Sequence, residues 1–119
     1  MDKYRISLIV PIYGVEKYIA KFAESALDQT WQDLQFIFVN DGTKDRSMEI
    51  LRDLIANRYA HLQSRIVIVD KENGGLPSAR KAGLDVAEGE YVLFADSDDW
   101  METDAVEKVM AKADETHAD

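Results

Sequence analysis

The residues of this chain best suited to chemistry follow a short apolar run in its last third. Asp96, Asp98 and Asp99 fall within four positions, directly after the run over residues 91–95. Carboxylates this close repel one another unless a cation or the donors of a ligand share them. Hard oxygen ligands at alternate positions suit Mg²⁺ or Mn²⁺, which keep open positions for waters and substrate phosphates. The cluster therefore predicts a divalent metal that bridges to a phosphate substrate.

Capping is the simpler interpretation of the same acids, because Asp before a helix stabilises its amino terminus. A final helix is predicted from about Thr103, and Asp99 is the acid expected to lead into it. Both interpretations account for the cluster by itself, so the elements around it must decide between them.

Four short runs, rich in β-branched and aromatic residues, are apolar almost throughout, which is typical of strands covered on both faces. They span residues 6–10, 34–39, 65–69 and 91–95. The stretches between them are amphipathic at helical spacing. Strands that alternate with helices predict an α/β fold with a parallel sheet and right-handed crossovers.

The sequence indicates the apolar face and the first residues of the predicted helices. Apolar residues at helical spacing form the stripes of the first two helices: Val15, Ile19, Phe22 and Ala26, then Met48, Leu51 and Ile55. Thr43 or Asp45 is the expected N-cap of the second helix. The third helix starts near Pro77, which suits a first helical position, and ends near Ala87. Gly83 costs stability in mid-helix, so close packing is expected there.

Polar segments follow all four predicted strands. They cover residues 11–16, 40–43, 70–75 and 96–99. In open parallel sheets, ligands bind beyond the carboxyl ends of the strands. Capping of the last helix does not require every other strand end to be polar, so this arrangement favours a binding site at that rim.

The composition is that of a single soluble globular domain, with 119 residues of which 46% are apolar and 31% are charged. A net charge of -9 argues against nucleic acid or an anionic membrane surface as the main partner. The absence of Cys excludes disulfides and thiolate metal sites. The sequence has no apolar stretch long enough for a signal peptide or a transmembrane segment, so a cytoplasmic location is expected.

Other parallel α/β classes fit these residues poorly. Gly14 stands alone after the first strand, where a dinucleotide-binding fold needs three spaced glycines and a nucleoside triphosphatase needs a Gly-Lys-Ser/Thr loop. A phosphoacceptor receiver domain or an aspartate-based phosphatase places acids there, where this chain has Pro11, Ile12 and Tyr13.

The chain resembles the family 2 glycosyltransferases over residues 6–109. Seven motifs in the family's order carry this resemblance: SLIVPIY at 7–13, EKYI at 16–19, SALDQTW at 25–31, VNDGT at 39–43, NGGL at 73–76, AR at 79–80 and DSDDW at 96–100. It implies a Rossmann-like parallel sheet of the GT-A type and a nucleotide-sugar donor. Residues 1–119 are expected to form one donor-nucleotide-binding domain.

The resemblance assigns Asp41 to the nucleobase. A carboxylate can accept the N3–H of uracil or the N1–H and amino group of guanine, but it meets only an acceptor at N3 of cytosine. UDP is therefore the favoured nucleotide and GDP the second. The alternative for Asp41 is a turn residue, since Asp-Gly is a strong turn signal.

The remaining site residues are also carried over from the family pattern. Pro11, Tyr13 and Glu16 would line the nucleoside pocket. Arg80, near the start of the third helix, would lie against the base or the diphosphate, where the amino end of the helix also attracts anions. An exposed helix-face arginine is the simpler interpretation of that residue.

The acidic segment matches the family's Asp-X-Asp motif. By resemblance, Asp96 would hold the ribose hydroxyls and Asp98 would bind Mn²⁺ or Mg²⁺. The metal would offset the diphosphate charge and assist departure of UDP. Two departures affect local geometry: Gly14 stands where the family usually has Asn, and Lys81 stands where it has Asn or another polar residue.

Family members continue beyond this length with an acceptor site and an acidic general base, so the base is expected carboxyl-terminal to Asp119. The expected activity is inverting transfer of a sugar to a glycan or a lipid-linked acceptor, and the longer protein could lie at the inner membrane face. This portion alone is expected to be inactive and to self-associate. The alternative from another class is a nucleotide-binding or structural module without turnover.

Overall fold

Four parallel strands form the centre of the molecule. The computed structural model of the chain describes residues 4–98 and 100–116, so Asp99 lies outside the described residues. The strands are Tyr4–Ile12 (β1), Leu34–Asp41 (β2), Ile66–Lys71 (β3) and Gly89–Phe94 (β4). They pair in the order β3-β2-β1-β4, and each neighbouring pair is parallel. The predicted parallel α/β sheet is confirmed.

Helices connect the strands in the predicted alternation. They are Ile19–Leu27 (α1), Ser47–Arg58 (α2), Leu76–Val86 (α3) and Ala105–Thr116 (α4), with a 3₁₀ helix over Ala60–Arg65. Arg65 therefore belongs to that 3₁₀ helix and not to the third strand. In the part of the chain that the structure describes, no helix is long and apolar enough to cross a lipid bilayer.

Two predicted helix starts differ from the observed ones. Val15 is buried, but it precedes α1, which begins at Ile19. The N-cap position of α2 is Arg46, not Thr43 or Asp45. Asp45 is nevertheless linked to the helix, because its Oδ1 accepts the N–H of Ser47 at 3.1 Å. Both residues predicted as N-caps instead bind the loop after β1, as described below.

The sheet buries apolar side chains on both faces. Leu8 and Val10 of β1 pack with α1, α2 and α4 on one face, and Ile9 packs with Ala79 of α3 on the other. The close packing expected at Gly83 is present: a Cβ there would lie 2.5 Å from Cγ2 of Ile9. A side chain at this position would push α3 away from β1.

All four strands contact apolar residues on both faces, as predicted: Ile68 of β3 and Leu93 of β4 pack on one face, and Val67 and Val92 pack on the other, but the depth of burial differs. β1 and β2 are buried along most of their length. β3 and β4 are largely half-buried. They occupy the edges of the four-stranded sheet, and the apolar runs of central and edge strands look alike in sequence.

Candidate functional site

The carboxyl ends of the strands surround an open cavity of about 480 Å³. This volume is in the range of small-molecule sites. The residues that line it come from all four strand ends: Pro11, Tyr13, Val15, Asp41, Asn73, Gly75, Leu76, Asp96, Ser97 and Asp98. Five of the seven predicted site residues are among them, and Glu16 and Arg80 are not. We call this space the donor cavity.

Asp41 is buried where β2 ends, with 4% of its surface exposed. Its Oδ1 accepts hydrogen bonds from the N–H of Gly74 and from Nζ of Lys71, both at 3.0 Å, and its Oδ2 accepts the N–H of Gly75 at 3.1 Å. Burial raises the pKa of Asp41, but these donors outweigh it and hold the pKa below its ordinary value of 3.8. The carboxylate thus binds the loop between β3 and α3 in addition to ending its own strand.

The loop after β1 is held by side chains of the loop after β2. Three consecutive N–H groups, of Gly14, Val15 and Glu16, donate to Thr43 Oγ1, Ser47 Oγ and Asp45 Oδ2 respectively. Thr43 and Ser47 in turn donate their hydroxyls to Asp45 Oδ1. This network fixes the rim of the donor cavity beside Tyr13. Glu16 takes part through its backbone, and its side chain is exposed.

Gly14, one of the two departures from the family pattern, has a φ of 64°. This left-handed backbone conformation is the one that Gly and Asn adopt most readily. Gly at this position therefore adopts a backbone conformation that Asn also tolerates.

Ser97 anchors the acidic segment. It is 5% exposed, and its Oγ donates to the carbonyl oxygen of Pro11 at 2.7 Å. Asp96 and Asp98 on either side are exposed and line the donor cavity. Sequence reasoning gave Ser97 no role, although a small hydroxyl residue between two acids was a usable signal. The hydrogen bond ties the acidic segment to the end of β1.

The carboxylates present suit a metal that is shared with a ligand. Among the residues that the structure describes, no group of three or more His, Cys, Asp or Glu side chains is placed to hold an ion. Asp96 and Asp98 supply two carboxylates at the cavity. Mg²⁺ is commonly bound by one or two carboxylates together with waters and substrate phosphates. The donor set therefore fits a substrate-bridged ion better than a site built from protein ligands alone.

A second contact holds the chain that follows the acidic segment. Gln29 is 1% exposed, and its Nε2 donates to the carbonyl oxygen of Glu102 at 2.7 Å while its Oε1 accepts the N–H of Val106 at 3.0 Å. Nearby, Ser25 Oγ accepts the N–H of Met101 at 3.0 Å. The last turn of α1 and the residue Gln29 that follows it thus fix both the chain after the acidic segment and the start of α4.

Arg80 lies on α3, outside the lining of the donor cavity. Its guanidinium carbon is 5.3 Å from the ring centroid of Phe94, a cation–π contact. Its Nε is buried and has no hydrogen-bond partner among the described residues. This donor is therefore unsatisfied among the residues that the structure describes.

The parallel sheet with alternating helices is the architecture of the GT-A glycosyltransferase fold, and the comparisons agree. The protein-family description "Glycosyl transferase family 2" matches residues 7–119, so the chain belongs to glycosyltransferase family 2. It is 41% identical over 115 residues to "Glycosyltransferase GlyA" of Streptococcus pneumoniae, covering 97% of this chain and 16% of that protein. It is 40% identical over 114 residues to "Uncharacterized glycosyltransferase EpsJ" of Bacillus subtilis, covering 96% of this chain and 32% of that protein.

Solved structures show the same architecture. TarS 1-349 of S. aureus in complex with UDP-GlcNAc has a TM-score of 0.81 and 31% identity, covering 95% of this chain and 32% of that one. The mannosyltransferase PcManGT of Pyrobaculum calidifontis, in complex with GDP-Man and Mn²⁺, is similar in fold, with a TM-score of 0.79, 22% identity and coverage of 98% and 33%. The chain spans a third or less of the length of each of these proteins.

Proposed function

We propose that residues 1–119 form the donor-binding domain of a glycosyltransferase that moves a sugar from a UDP-sugar to an acceptor hydroxyl. The observation that carries this proposal is the donor cavity, where Asp41 of one strand end faces the same space as Asp96 and Asp98 of another. Asp41 suits a base that donates N–H groups, and Asp96 with Asp98 suits the other end of a nucleotide, where a metal accompanies the diphosphate.

Asp41 would accept the N3–H of uracil. Its Oδ1 already accepts two hydrogen bonds, whereas its Oδ2 accepts one at 3.1 Å from Gly75 and a long one at 3.5 Å from Asn73 Nδ2. A carboxylate has about four lone-pair positions, so Oδ2 retains room for a ligand donor. Guanine also offers N–H donors to such an oxygen and cytosine does not, which makes GDP the second choice.

Pro11 and Tyr13 would bind the nucleoside. Both line the donor cavity, and the ring of Tyr13 is exposed there beside the network that holds its loop. Such a surface can cover the flat face of a base. Glu16 would act on this pocket through its backbone N–H, which donates to Asp45 and fixes the loop.

Asp96 would hold the ribose hydroxyls, and Asp98 would bind Mn²⁺ or Mg²⁺. A bound ion of this kind supplies neutralisation of the diphosphate and of the charge that develops on the departing UDP. Arg80, with its unpartnered buried Nε, and the amino end of α3 would add donors for the same anion. The transfer would be inverting, with a base that deprotonates the acceptor hydroxyl. No residue of this chain is assigned to that role.

Calorimetric titration of UDP, GDP and CDP, each with and without Mn²⁺, tests the proposal. We expect UDP to bind most tightly, GDP more weakly and CDP weakest, and we expect Mn²⁺ to strengthen the binding of UDP. Equal binding of UDP and CDP would contradict the role of Asp41. Absence of binding by all three nucleotides in the presence of Mn²⁺ would overturn the proposal as a whole.

A further inference from the structure

A second, smaller cavity of about 120 Å³ adjoins the donor cavity. Lys17, Tyr18, Lys21, Asp98 and Trp100 line it, and we call it the lysine–aromatic cavity. Asp98 lines both spaces, while neither lysine lines the donor cavity. The smaller cavity therefore adjoins the donor cavity at the acid proposed to hold the metal.

The two lysines of this cavity lack charged partners. Lys17 and Lys21 form no ion pair or hydrogen bond with the residues that the structure describes, and Lys21 Nζ lies 6.0 Å from the ring centroid of Trp100. By contrast, Lys71 and Lys81 each pair with a carboxylate, at 3.0 Å and 3.4 Å. Asp98 supplies one negative charge to the same lining, so the two ammonium groups leave a net charge of +1 in this small space. In a chain with a net charge of -9, this local excess of positive charge favours an anionic ligand.

The aromatic residues of the cavity leave ring surface open to a ligand. Tyr18 and Trp100 are each 51% exposed. A sugar ring presents C–H bonds on its faces and hydroxyls at its edges, so it can pack against such rings while its polar groups stay in water. Lysines beside half-exposed aromatics are thus suited to a sugar that carries a negative charge.

We propose that the lysine–aromatic cavity binds an acceptor sugar that carries a carboxylate or a phosphate. The inference rests on the proposed function, because Asp98 places the cavity next to the donor diphosphate. Lys17 and Lys21 bind the anionic group, and Tyr18 and Trp100 pack against the ring. An acceptor held there lies beside Asp98, the residue that the two cavities share.

The test uses the indole N–H signals of the two tryptophans in heteronuclear NMR. Trp100 reports on the cavity, and Trp31, whose Nε1 donates to the carbonyl oxygen of Asp33, is an internal control. With saturating UDP and Mg²⁺ present, the chain is titrated with methyl glucuronide, glucose 6-phosphate and neutral methyl glucoside. We expect the two charged sugars to shift the Trp100 signal and to leave Trp31 unchanged. Methyl glucoside should bind at least about fivefold more weakly, the factor that corresponds to one ion pair of about 1 kcal/mol.

The double variant Lys17→Gln/Lys21→Gln should weaken binding of both charged sugars by about fivefold or more. Lys44→Gln is the matched control, since Lys44 is an exposed lysine that lines neither cavity. An unchanged Trp31 signal confirms that each variant is folded. The shifts caused by UDP around Asp41 are followed separately in the same samples.

Three results would overturn the inference: equal binding of charged and neutral sugars, equal binding by the double variant and Lys44→Gln, or displacement of UDP by the charged sugars. The last would assign the lysines to the donor. If the double variant loses affinity for only one of the two charged sugars, the inference stands, and that sugar identifies the anionic group. Failure of UDP to shift the signals around Asp41 would overturn the proposed function and the acceptor role with it.

Discussion

Lys71 Nζ lies 3.0 Å from Oδ1 of Asp41 and also donates to the carbonyl oxygen of Glu72 at 2.6 Å. The pair joins the ends of two neighbouring strands, β2 and β3. Both side chains are largely buried, so the pair is screened less by solvent than the exposed pairs of the chain. The shape of the donor cavity therefore depends on the charge of Asp41.

The first prediction concerns the pH dependence of stability. Burial raises the pKa of Asp41. The N–H of Gly74, the ammonium of Lys71 and the N–H of Gly75 lower it by more than burial raises it, so the pKa lies below the ordinary 3.8. A carboxyl group of this kind stabilises the fold above its unfolded pKa, and that contribution is lost as the pH falls through the folded pKa. We expect the free energy of unfolding in urea to decrease below about pH 4.

Asp41→Asn should flatten part of that decrease and lower stability at pH 7 by about 1.5 to 3 kcal/mol, the range for a hydrogen bond to a charged group. Asp53→Asn is the matched control, because Asp53 is an exposed acid of α2. It should keep the full pH dependence. Parallel pH curves for the wild type and Asp41→Asn would show that the Lys71 pair has no net effect on stability.

The second prediction concerns Asp45. Burial raises its pKa, but the hydroxyls of Ser47 and Thr43 and the N–H groups of Ser47 and Glu16 lower it to about 2. Its stabilising contribution is complete above its ordinary pKa of 3.8 and is lost as the pH falls through about 2. Asp45→Ala should reduce stability by about 1 to 2 kcal/mol, as loss of a capping side chain does.

Hydrogen exchange locates the effect of Asp45→Ala. The amide of Glu16 donates directly to Asp45, so its exchange should accelerate more than that of Ala23 in the middle of α1. Asp53→Ala should accelerate neither. Equal acceleration of both amides in Asp45→Ala would indicate global destabilisation without a specific link between the two loops.

The alternation of apolar runs and amphipathic stretches was enough to predict the sheet, and the rule that ligands bind at strand ends was enough to place the segments 11–16, 40–43 and 96–99 at one rim. The choice of Pro11, Tyr13, Asp41, Asp96 and Asp98 within those segments came from the family resemblance. These inferences depend on patterns within each segment. The half-burial of β3 and β4 could not be predicted in the same way, because it depends on strand order, which no single segment encodes.

Local sequence patterns also could not predict which residues the side chains of the loops bind. Asp45 looks like a helix cap in sequence, yet it accepts a hydrogen bond from Glu16, 29 positions earlier. Asp41 looks like a turn residue, yet it pairs with Lys71, 30 positions later. In both cases a polar side chain at a strand end is satisfied by the neighbouring strand end, so its role follows from the assembled sheet.

The third prediction concerns the metal. Asp98→Asn keeps the shape of the side chain and removes one ligand charge, so Mn²⁺ should no longer strengthen UDP binding, while binding without metal should change little. Asp85→Asn, on the exposed side of α3 and paired with Lys81, is the control and should retain the effect of Mn²⁺. The measurement is calorimetric titration of UDP with and without Mn²⁺. A variant that still binds UDP more tightly with Mn²⁺ would show that Asp98 is not a required ligand.

The fourth prediction concerns Gln29, which holds the chain on the far side of Asp98. Gln29→Ala leaves the carbonyl oxygen of Glu102 and the N–H of Val106 without their side-chain partner. The carbonyl oxygen of Glu102 still accepts the N–H of Ala105 at 3.1 Å, so the main cost is the unsatisfied N–H of Val106, about 1 to 3 kcal/mol, and the thermal midpoint should fall. The affinity for UDP should also fall more in the presence of Mn²⁺ than in its absence, because the metal-dependent part of binding requires Asp98 to be in place.

Gln32→Ala separates this positioning role from general destabilisation. Gln32 also makes side-chain hydrogen bonds, to the carbonyl oxygen of Gln29 and from Arg65, but none to the segment that follows Asp98. It should therefore lower stability without changing the ratio of UDP affinities with and without Mn²⁺. The two variants are compared at a temperature where both are fully folded, so that the ratio reports on the site alone. If Gln29→Ala reduces both affinities by the same factor, Gln29 anchors α4 and has no specific influence on the acidic segment.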